Sequence, residues 1–308
     1  MKTPSAWQIG SILAIGIVAV SMAAILIRLA NDAAFITGVG FSLVLAASRL
    51  ILAAIILLPT WTSITKQKHS KTAYFYAIAA GLTLALHFAF WITSLSYTSI
   101  AQSTVLVTTN PIWVPVFSWI AYREKITKIT LLGILIAFAG GVLVALSDQT
   151  SNNYTNPLLG NFLALIGAVT VSLYFLLGRE AQNRGLSTRD YSTITYTAAA
   201  VILLPLPLFF GAGYAGYPSE VYLYIILMAI FPQLIGHTSF NWVIRWITPT
   251  LVSLTILFEP IVASFFGYLI FGEMPSNIVL LGGLILLVGV AVAVIGTRNP
   301  IASEPDKI

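Results

Sequence analysis

Apolar residues run along the chain in stretches of about 20 residues, the length of a helix that crosses a membrane. Few charges interrupt these stretches, and short polar or glycine- and proline-containing segments separate them. The pattern predicts an all-α integral membrane protein with ten transmembrane helices. The weakest predicted join, between the third and fourth spans, consists of Ser96, Tyr97 and Thr98. The predicted spans are 8–29, 38–60, 73–95, 99–121, 128–147, 157–178, 191–210, 219–241, 249–271 and 277–296.

Composition excludes a water-soluble globule. Hydrophobic residues make up 58% of the chain and charged residues 8%, with a mean hydropathy of +0.93. An ordinary soluble domain carries roughly 25% charged residues. The net charge of +5 does not indicate nucleic acid, because most of the basic residues fall in predicted loops. Since the chain has no cysteine, disulfides, a thiolate nucleophile and cysteine metal sites are excluded, and no cofactor is expected.

The basic residues also predict the orientation of the chain, because lysine and arginine are retained in cytoplasmic loops. With a cytoplasmic N-terminus, Arg28 and Arg49 fall in spans and none of the 15 basic residues falls in an outer loop. We therefore expect a multi-pass protein of the cell membrane, plasma or inner, with both termini and a polar tail, 299–308, in the cytoplasm. The residues predicted inside are Lys2, Lys66, Lys68, Lys71, Arg123, Lys125, Lys128, Arg179, Arg184, Arg189, Arg245, Arg298 and Lys307.

The two halves of the chain repeat each other at an offset of about 150 residues. The predicted repeats are 1–148 and 149–298. Each holds five spans, so the second repeat enters the membrane upside down relative to the first. Secondary transporters often have this plan, with the substrate site between the repeats near the bilayer midplane. The matched residues include Ser21 with Ser172, Arg28 with Arg179, His87 with His237, Asn110-Pro111-Ile112 with Glu259-Pro260-Ile261, Glu124 with Glu273, Gly133 with Gly282 and Gly140 with Gly289.

Two segments of this repeat resemble a known family. They are TTNPIWVPVFSWIAYREKITKITLLGILIAFAGGVLV at 108–144 and LFEPIVASFFGYLIFGEMPSNIVLLGGLILLVGVAVAV at 257–294. A proline-interrupted helix, a closing glutamate and a glycine-bearing helix are similar to the repeated signature of the EamA family of the drug/metabolite transporter superfamily. Arg49 is similar to the arginine in that family's second helix. The resemblance implies ten helices in two repeats and export of amino acids or other small metabolites from prokaryotes.

Arg49 and Glu259 are candidates for the substrate path. Arg49 lies eleven residues from residue 38, the outer end of its predicted span. At 1.5 Å per residue this is a depth of roughly 16 Å, near the midplane, and Glu259 has a similar depth. A charge there costs at least about 2.5–3.5 kcal/mol, so both should face the interior, and a mutual ion pair is the simplest expectation. Either a fixed brace between helices or a substrate-carboxylate or proton-linked site fits the sequence.

The remaining candidates are polar, aromatic or helix-breaking residues inside the spans. His87 and His237 could relay protons or line the path, or could act as interhelical hydrogen bonders, but they do not make a metal site. Pro111 and Pro260 interrupt helices at equivalent places and could instead only shape packing. Gly133, Ala137 and Gly141 suggest close helix packing. The other path candidates, which serve equally well as packing or interhelical hydrogen-bonding residues, are Phe90, Trp91, Thr109, Asn110, Gln233 and Asn241.

The predicted function is therefore a secondary transporter that works by alternating access on a small-molecule substrate in a lipid bilayer. The chain contains no Gly-Lys pair, so it has no P-loop through which ATP could drive transport. No catalytic residue is expected, because the spacing lacks the clusters that a membrane enzyme needs. A membrane channel or a sensor stays open as an alternative, an enzyme is less favoured, and a homodimer is left open.

Overall fold

The computed structural model describes residues 3–67, 69–122, 127–146, 155–272 and 274–296. Within these ranges the chain is helical and contains no strand. Glu124, Glu273 and the predicted tail 299–308 lie outside them. The helices are α1 Ala6–Ala34, α2 Val39–Ile56, α3 Trp61–Ile64, α4 Lys71–Ser94, α5 Ile100–Val107, α6 Asn110–Tyr122, α7 Lys128–Leu146, α8 Pro157–Asn183, α9 Thr188–Leu203, α10 Leu206–Phe209, α11 Ser219–Met228, α12 Thr238–Val243, α13 Pro249–Ile256, α14 Glu259–Phe271 and α15 Asn277–Ile295, with a 3-10 turn at Leu58–Thr60 and a π-helix at Ala229–His237.

Serine side chains set where several of these helices begin. Ser5, Ser70, Ser99 and Ser187 each accept a hydrogen bond from the backbone N–H three residues later. Such a cap satisfies one of the N–H groups that the first turn leaves without a partner. Ser99 follows directly on the predicted join at 96–98, and α4 ends at Ser94. The prediction that two helices meet at this join is confirmed.

Seven helices in the described ranges are long and apolar enough to cross a membrane, counting α5 with α6, α9 with α10, and α11 with the π-helix and α12. Three shorter apolar helices, Lys128–Leu143, Glu259–Phe271 and Asn277–Ala293, accompany them. Large apolar side chains such as Phe75, Phe162 and Leu280 are more than half exposed. A soluble monomer rarely leaves so much apolar surface open, so these faces fit contact with lipid.

Buried packing is concentrated around α4 and α1. Helix α4 packs along α8 and α9, and α1 packs against the π-helix, α11 and α14. Most of the buried side chains belong to one large cluster that these helices share, and a smaller cluster around Leu106, Ala137 and Leu286 lies between α5, α7 and α15. Helices from the two halves of the chain therefore pack against each other.

Helices α7 and α15 pack closely, backbone against backbone. A Cβ atom added at Gly133 would lie 2.1 Å from the backbone nitrogen of Ala293, and one at Gly289 would lie 2.2 Å from that of Ala137. Gly140 meets the backbone of Gly282 and Leu286 in the same way. Residue numbers rise along one helix as they fall along the other, so the pair is antiparallel. Small residues permit this approach, as the spacing of Gly133 and Ala137 predicts. The same prediction is wrong for Gly141, because an added Cβ there would meet only a side-chain carbon of Leu286 at 3.8 Å.

Candidate functional site

Two predicted spans are broken at equivalent positions of the repeats. Helix α5 ends at Val107 and α6 begins at Asn110, while α13 ends at Ile256 and α14 begins at Glu259. Pro111 and Pro260 are the second residues of α6 and α14. A proline in the first helical turn sacrifices no hydrogen bond, because its missing N–H would have no partner there. The breaks therefore precede the prolines and bring Asn110 and Glu259 to the start of a new helix.

A serine from the opposite repeat contacts each break. The Ser21 hydroxyl on α1 lies 3.4 Å from the backbone oxygen of Glu259 and can donate to it. The Ser172 hydroxyl on α8 stands in the same relation, also at 3.4 Å, to the backbone oxygen of Asn110. Each serine donates a shorter bond within its own helix. Since Ser21 matches Ser172 and Glu259 matches Asn110 in the repeat, the two contacts are equivalent.

A small cavity lies next to both breaks. Its volume is about 30 Å³, room for a group the size of a water molecule. Five of the residues predicted from sequence line it: His87, Trp91, Asn110, His237 and Glu259. The other lining residues are Val20, Val107, Thr108, Val171, Phe175, Phe240 and Ile256.

The two histidines meet at this cavity. Their ring centroids lie 6.3 Å apart, and the Phe88 ring packs nearly perpendicular to His237 at 5.2 Å. His87 Nδ1 lies 2.9 Å from the backbone oxygen of Gly167, to which it donates because a carbonyl only accepts. His237 Nδ1 is buried and has no hydrogen-bond partner among the described residues. In the described ranges no group of three ligating side chains could hold a metal ion.

Arg49 lies beside the cavity but does not line it. The side chain is fully buried, and its guanidinium carbon lies 4.2 Å from the centroid of the Phe88 ring. Among the described residues none of its three nitrogens has a hydrogen-bond partner, and no carboxylate lies within 4.0 Å. The expected ion pair with Glu259 is therefore not formed, although Glu259 is close enough to attract Arg49 electrostatically. Both side chains are buried, so neither faces lipid.

Gln233 and Asn241 are both buried but have different surroundings. Gln233 lies in the π-helix, a rare helical form that often occurs at functional sites, and neither of its amide atoms has a partner in the described ranges. Asn241, in contrast, is held by Tyr174, Ser192 and Tyr196 at 2.5–3.2 Å. Asn241 therefore belongs to a satisfied polar network between α8, α9 and α12.

Thr109 and Phe90 also lie outside the cavity. The Thr109 hydroxyl donates to the backbone oxygen of Leu106 and accepts from the Trp113 ring nitrogen at 3.3 Å. Phe90 is half-buried. The structure thus brings together five of the ten predicted path residues and separates the other five from the cavity.

Sequence reasoning missed the buried tyrosines beside Asn241. Tyr174 and Tyr196, which hydrogen-bond to Asn241, are fully buried, as is Tyr191, whose ring stacks on Tyr174. The Tyr196 hydroxyl also lies 3.0 Å from that of Thr238. The available signal was their position inside apolar spans, where a hydroxyl needs a partner. The same reasoning applies to Ser21 and Ser172, which sequence comparison matched between the repeats without assigning them to the site.

A second, apolar cleft of about 340 Å³ lies on the other side of the breaks, between α5, α14 and α15. Pro260 lines this cleft, and Thr108 lines both spaces. Ile261, Leu280 and Leu284 at the cleft are more than half exposed. The broken helices therefore form the wall between a small cavity with both polar and apolar lining residues and an apolar cleft that opens at the surface.

Comparison with known proteins agrees with this architecture. The profile described as the EamA-like transporter family matches residues 8–146 and again 158–295. The uncharacterized transporter YyaM of Bacillus subtilis (strain 168) is 28% identical over 256 residues, covering 80% of this chain and 83% of that protein. An uncharacterized transporter of Clostridium kluyveri is 24% identical over 246 residues, covering 78% and 79%. A solved crystal structure has the same fold, with a TM-score of 0.61 at 18% identity over 93% of this chain and 97% of that one.

The apolar helices and the transporter relatives indicate a multi-pass membrane transporter. The chain belongs to the EamA-like transporter family, and the two matches of the family profile correspond to its two repeats. The resemblance inferred from the sequence is confirmed.

Proposed function

We propose that this chain is a secondary transporter that exports small organic metabolites, such as amino acids, by alternating access. The observation that carries the proposal is the pair of equivalent contacts at the helix breaks. Ser21 of one repeat reaches Glu259 of the other, and Ser172 reaches Asn110, both at 3.4 Å. Discontinuous helices at corresponding positions of two repeats are the usual sign of a transporter's binding site.

Inversion of the repeats is supported by the α7–α15 pair. Gly133 approaches Gly289, and Gly140 approaches Gly282. Gly133 corresponds to Gly282 and Gly140 to Gly289 in the repeat. A two-fold rotation that superimposes each repeat on the other therefore turns the first contact into the second. Because the two helices are antiparallel, a two-fold axis that relates them is perpendicular to both, and it lies in the membrane plane if the helices cross the bilayer. That is the symmetry of an inverted repeat.

Ten spans follow if the three shorter apolar helices also cross, with α13 and α14 together forming the ninth. The repeats are then 1–148 and 149–298, and both termini face the cytoplasm of a cell whose plasma or inner membrane holds the protein. The predicted inner loops contain 13 of the 15 basic residues and the outer loops none, which supports this orientation.

The small size of the cavity is compatible with alternating access. At about 30 Å³ it is too small for a whole amino acid, so this conformation fits a closed form. Opening would part the contacts that the two serines make with the opposite repeat. Each is long for a hydroxyl bond, and each serine keeps its intrahelical bond, so parting them sacrifices little hydrogen bonding.

The test is metabolite efflux from cells with and without the protein, followed by flux in vesicles that contain the purified chain. A transporter should show saturable flux and counterflow, whereas a channel would not saturate. Glu259→Gln should reduce flux and leave melting in detergent nearly unchanged, because no described cation lies within 4.0 Å of this carboxylate. Glu220→Gln, which removes an exposed carboxylate, is the matched control. Full flux with Glu259→Gln would contradict the proposed path.

A further inference from the structure

Two residues that line the small cavity carry hydrogen-bond acceptors that lack donors among the described residues. Asn110 is 1% exposed, and its Oδ1 has no hydrogen-bond partner among the described residues. No side chain in these ranges donates to the Glu259 carboxylate, which lines the same cavity. A buried acceptor without a donor costs about 1–3 kcal/mol, and a charged one costs more. These two groups therefore favour a ligand that supplies N–H donors.

His87 adds a third acceptor. Its Nδ1 donates to the backbone oxygen of Gly167 at 2.9 Å, which fixes the proton of a neutral ring on Nδ1. Nε2 is then an acceptor on a ring that lines the cavity. Trp91 Nε1 and His237 Nδ1 have no partner either, so the cavity is not purely an acceptor site.

Aromatic rings form much of the remaining wall. Trp91, Phe175 and Phe240 line the cavity, and the Trp91 ring stacks on His87 with centroids 5.8 Å apart and an angle of 8°. The negative face of an aromatic ring attracts an organic cation, and rings combined with a carboxylate are a common way to bind one. A cavity of about 30 Å³ accommodates a group of the size of an ammonium.

A substrate carboxylate fits this cavity less well. It would place a second carboxyl group beside Glu259, and the cation that could offset a carboxylate, Arg49, is not a lining residue. The Arg49 guanidinium instead lies over Phe88, whose ring packs against His237. The sequence also allows Arg49 to bind a carboxylate. In this structure that would first require the Arg49 guanidinium to leave the Phe88 ring.

We propose that the cavity between the helix breaks binds the ammonium group of an organic amine, through Glu259, Asn110 and His87 and the rings of Trp91, Phe175 and Phe240. This inference rests on the proposed transport function and names the chemical group that the transported molecule carries. An amino acid satisfies it through its amino group, and a simple amine satisfies it without a carboxylate.

The test compares four probes that share a phenyl group: phenethylamine, phenylalanine, 3-phenylpropanoate and 2-phenylethanol. Calorimetry with the purified full chain should detect binding of the amine and the amino acid, and not of the acid or the alcohol. Glu259→Gln should weaken amine binding roughly tenfold or more, the loss of one charge-assisted hydrogen bond. Asn110→Ala should weaken it less, and Glu220→Gln should leave it unchanged.

Three results would overturn the assignment. The first is stronger binding of the acid than of the amine, and the second is unchanged amine affinity in Glu259→Gln. The third is a heat signal on adding sodium but on adding none of the four probes. If Glu259→Gln does not fold, Glu259→Asp and Asn110→Ala provide the same comparison.

Measurement of flux in vesicles distinguishes a failure of this inference from a failure of the proposed function. Amine binding without flux of any probe would refute transport, whereas flux of the acid alone would refute the ammonium site and leave transport standing.

Discussion

Two neighbouring glycines of α7 give a sharp test of the packing between α7 and α15. A Cβ added at Gly140 would lie 2.5 Å from the backbone nitrogen of Leu286 and 2.6 Å from the backbone oxygen of Gly282. An ordinary contact between such atoms is about 3.5–4.0 Å, so the helices would have to separate by about 1 Å. At Gly141 the added atom would make an ordinary contact of 3.8 Å.

The two alanine variants should therefore behave differently. Alanine is a better helix former than glycine by about 1 kcal/mol, a gain that both variants share. Overpacking typically costs about 1–3 kcal/mol and applies only to Gly140→Ala. Since 1 kcal/mol corresponds to about 2–4 °C in a chain of 150–250 residues, Gly140→Ala should melt several degrees below Gly141→Ala.

The measurement is thermal unfolding of the purified protein in one detergent, followed by size-exclusion chromatography. Gly289→Ala extends the test to the other helix, because its added Cβ would lie 2.2 Å from the backbone nitrogen of Ala137. It should lose stability like Gly140→Ala. Equal melting of Gly140→Ala and Gly141→Ala would refute the close backbone contact and, with it, the symmetry argument built on these glycines.

Three further predictions follow from the buried polar groups and the loops. Arg49→Met removes three donor nitrogens that lack hydrogen-bond partners among the described residues, so stability should be unchanged or higher by about 1–4 kcal/mol in melting while vesicle flux falls; a strong loss of stability would reveal a brace. Tyr174→Phe removes the hydroxyl that donates to Asn241 and should lower stability by about 1–2 kcal/mol at unchanged substrate affinity. Because the chain has no cysteine, an impermeant maleimide should label Ala215→Cys in intact cells and Gln67→Cys only after permeabilisation; the reverse would invert the topology.

The spacing of apolar runs and the rarity of certain residue types make part of this structure predictable from the sequence. Apolar runs locate the helices, and scarce residues such as proline and histidine align the repeats. The same scarcity identified His87, Asn110, His237 and Glu259, which meet at the cavity. The side of a helix that a residue occupies is harder to predict, because an all-apolar span has no polar face to orient it. For this reason the spacing of small residues points to Gly141 rather than Gly140, and polarity alone places Asn241 in the path rather than in the tyrosine network.

Buried polar side chains at and near the helix breaks lack hydrogen-bond partners among the described residues, and this is the strongest physical argument for a binding site. The tyrosine network shows that this fold can satisfy buried polar groups, since Asn241 has three side-chain partners at 2.5–3.2 Å. Yet Arg49, Gln233 and Asn110, all buried nearby or at the helix breaks, keep atoms without partners in the described ranges. Each such atom costs stability, so a chain that needed only to fold would gain by replacing these residues with apolar ones. The proposed ammonium ligand would supply a donor to Asn110, which lines the cavity, and so gives this residue a reason to remain polar.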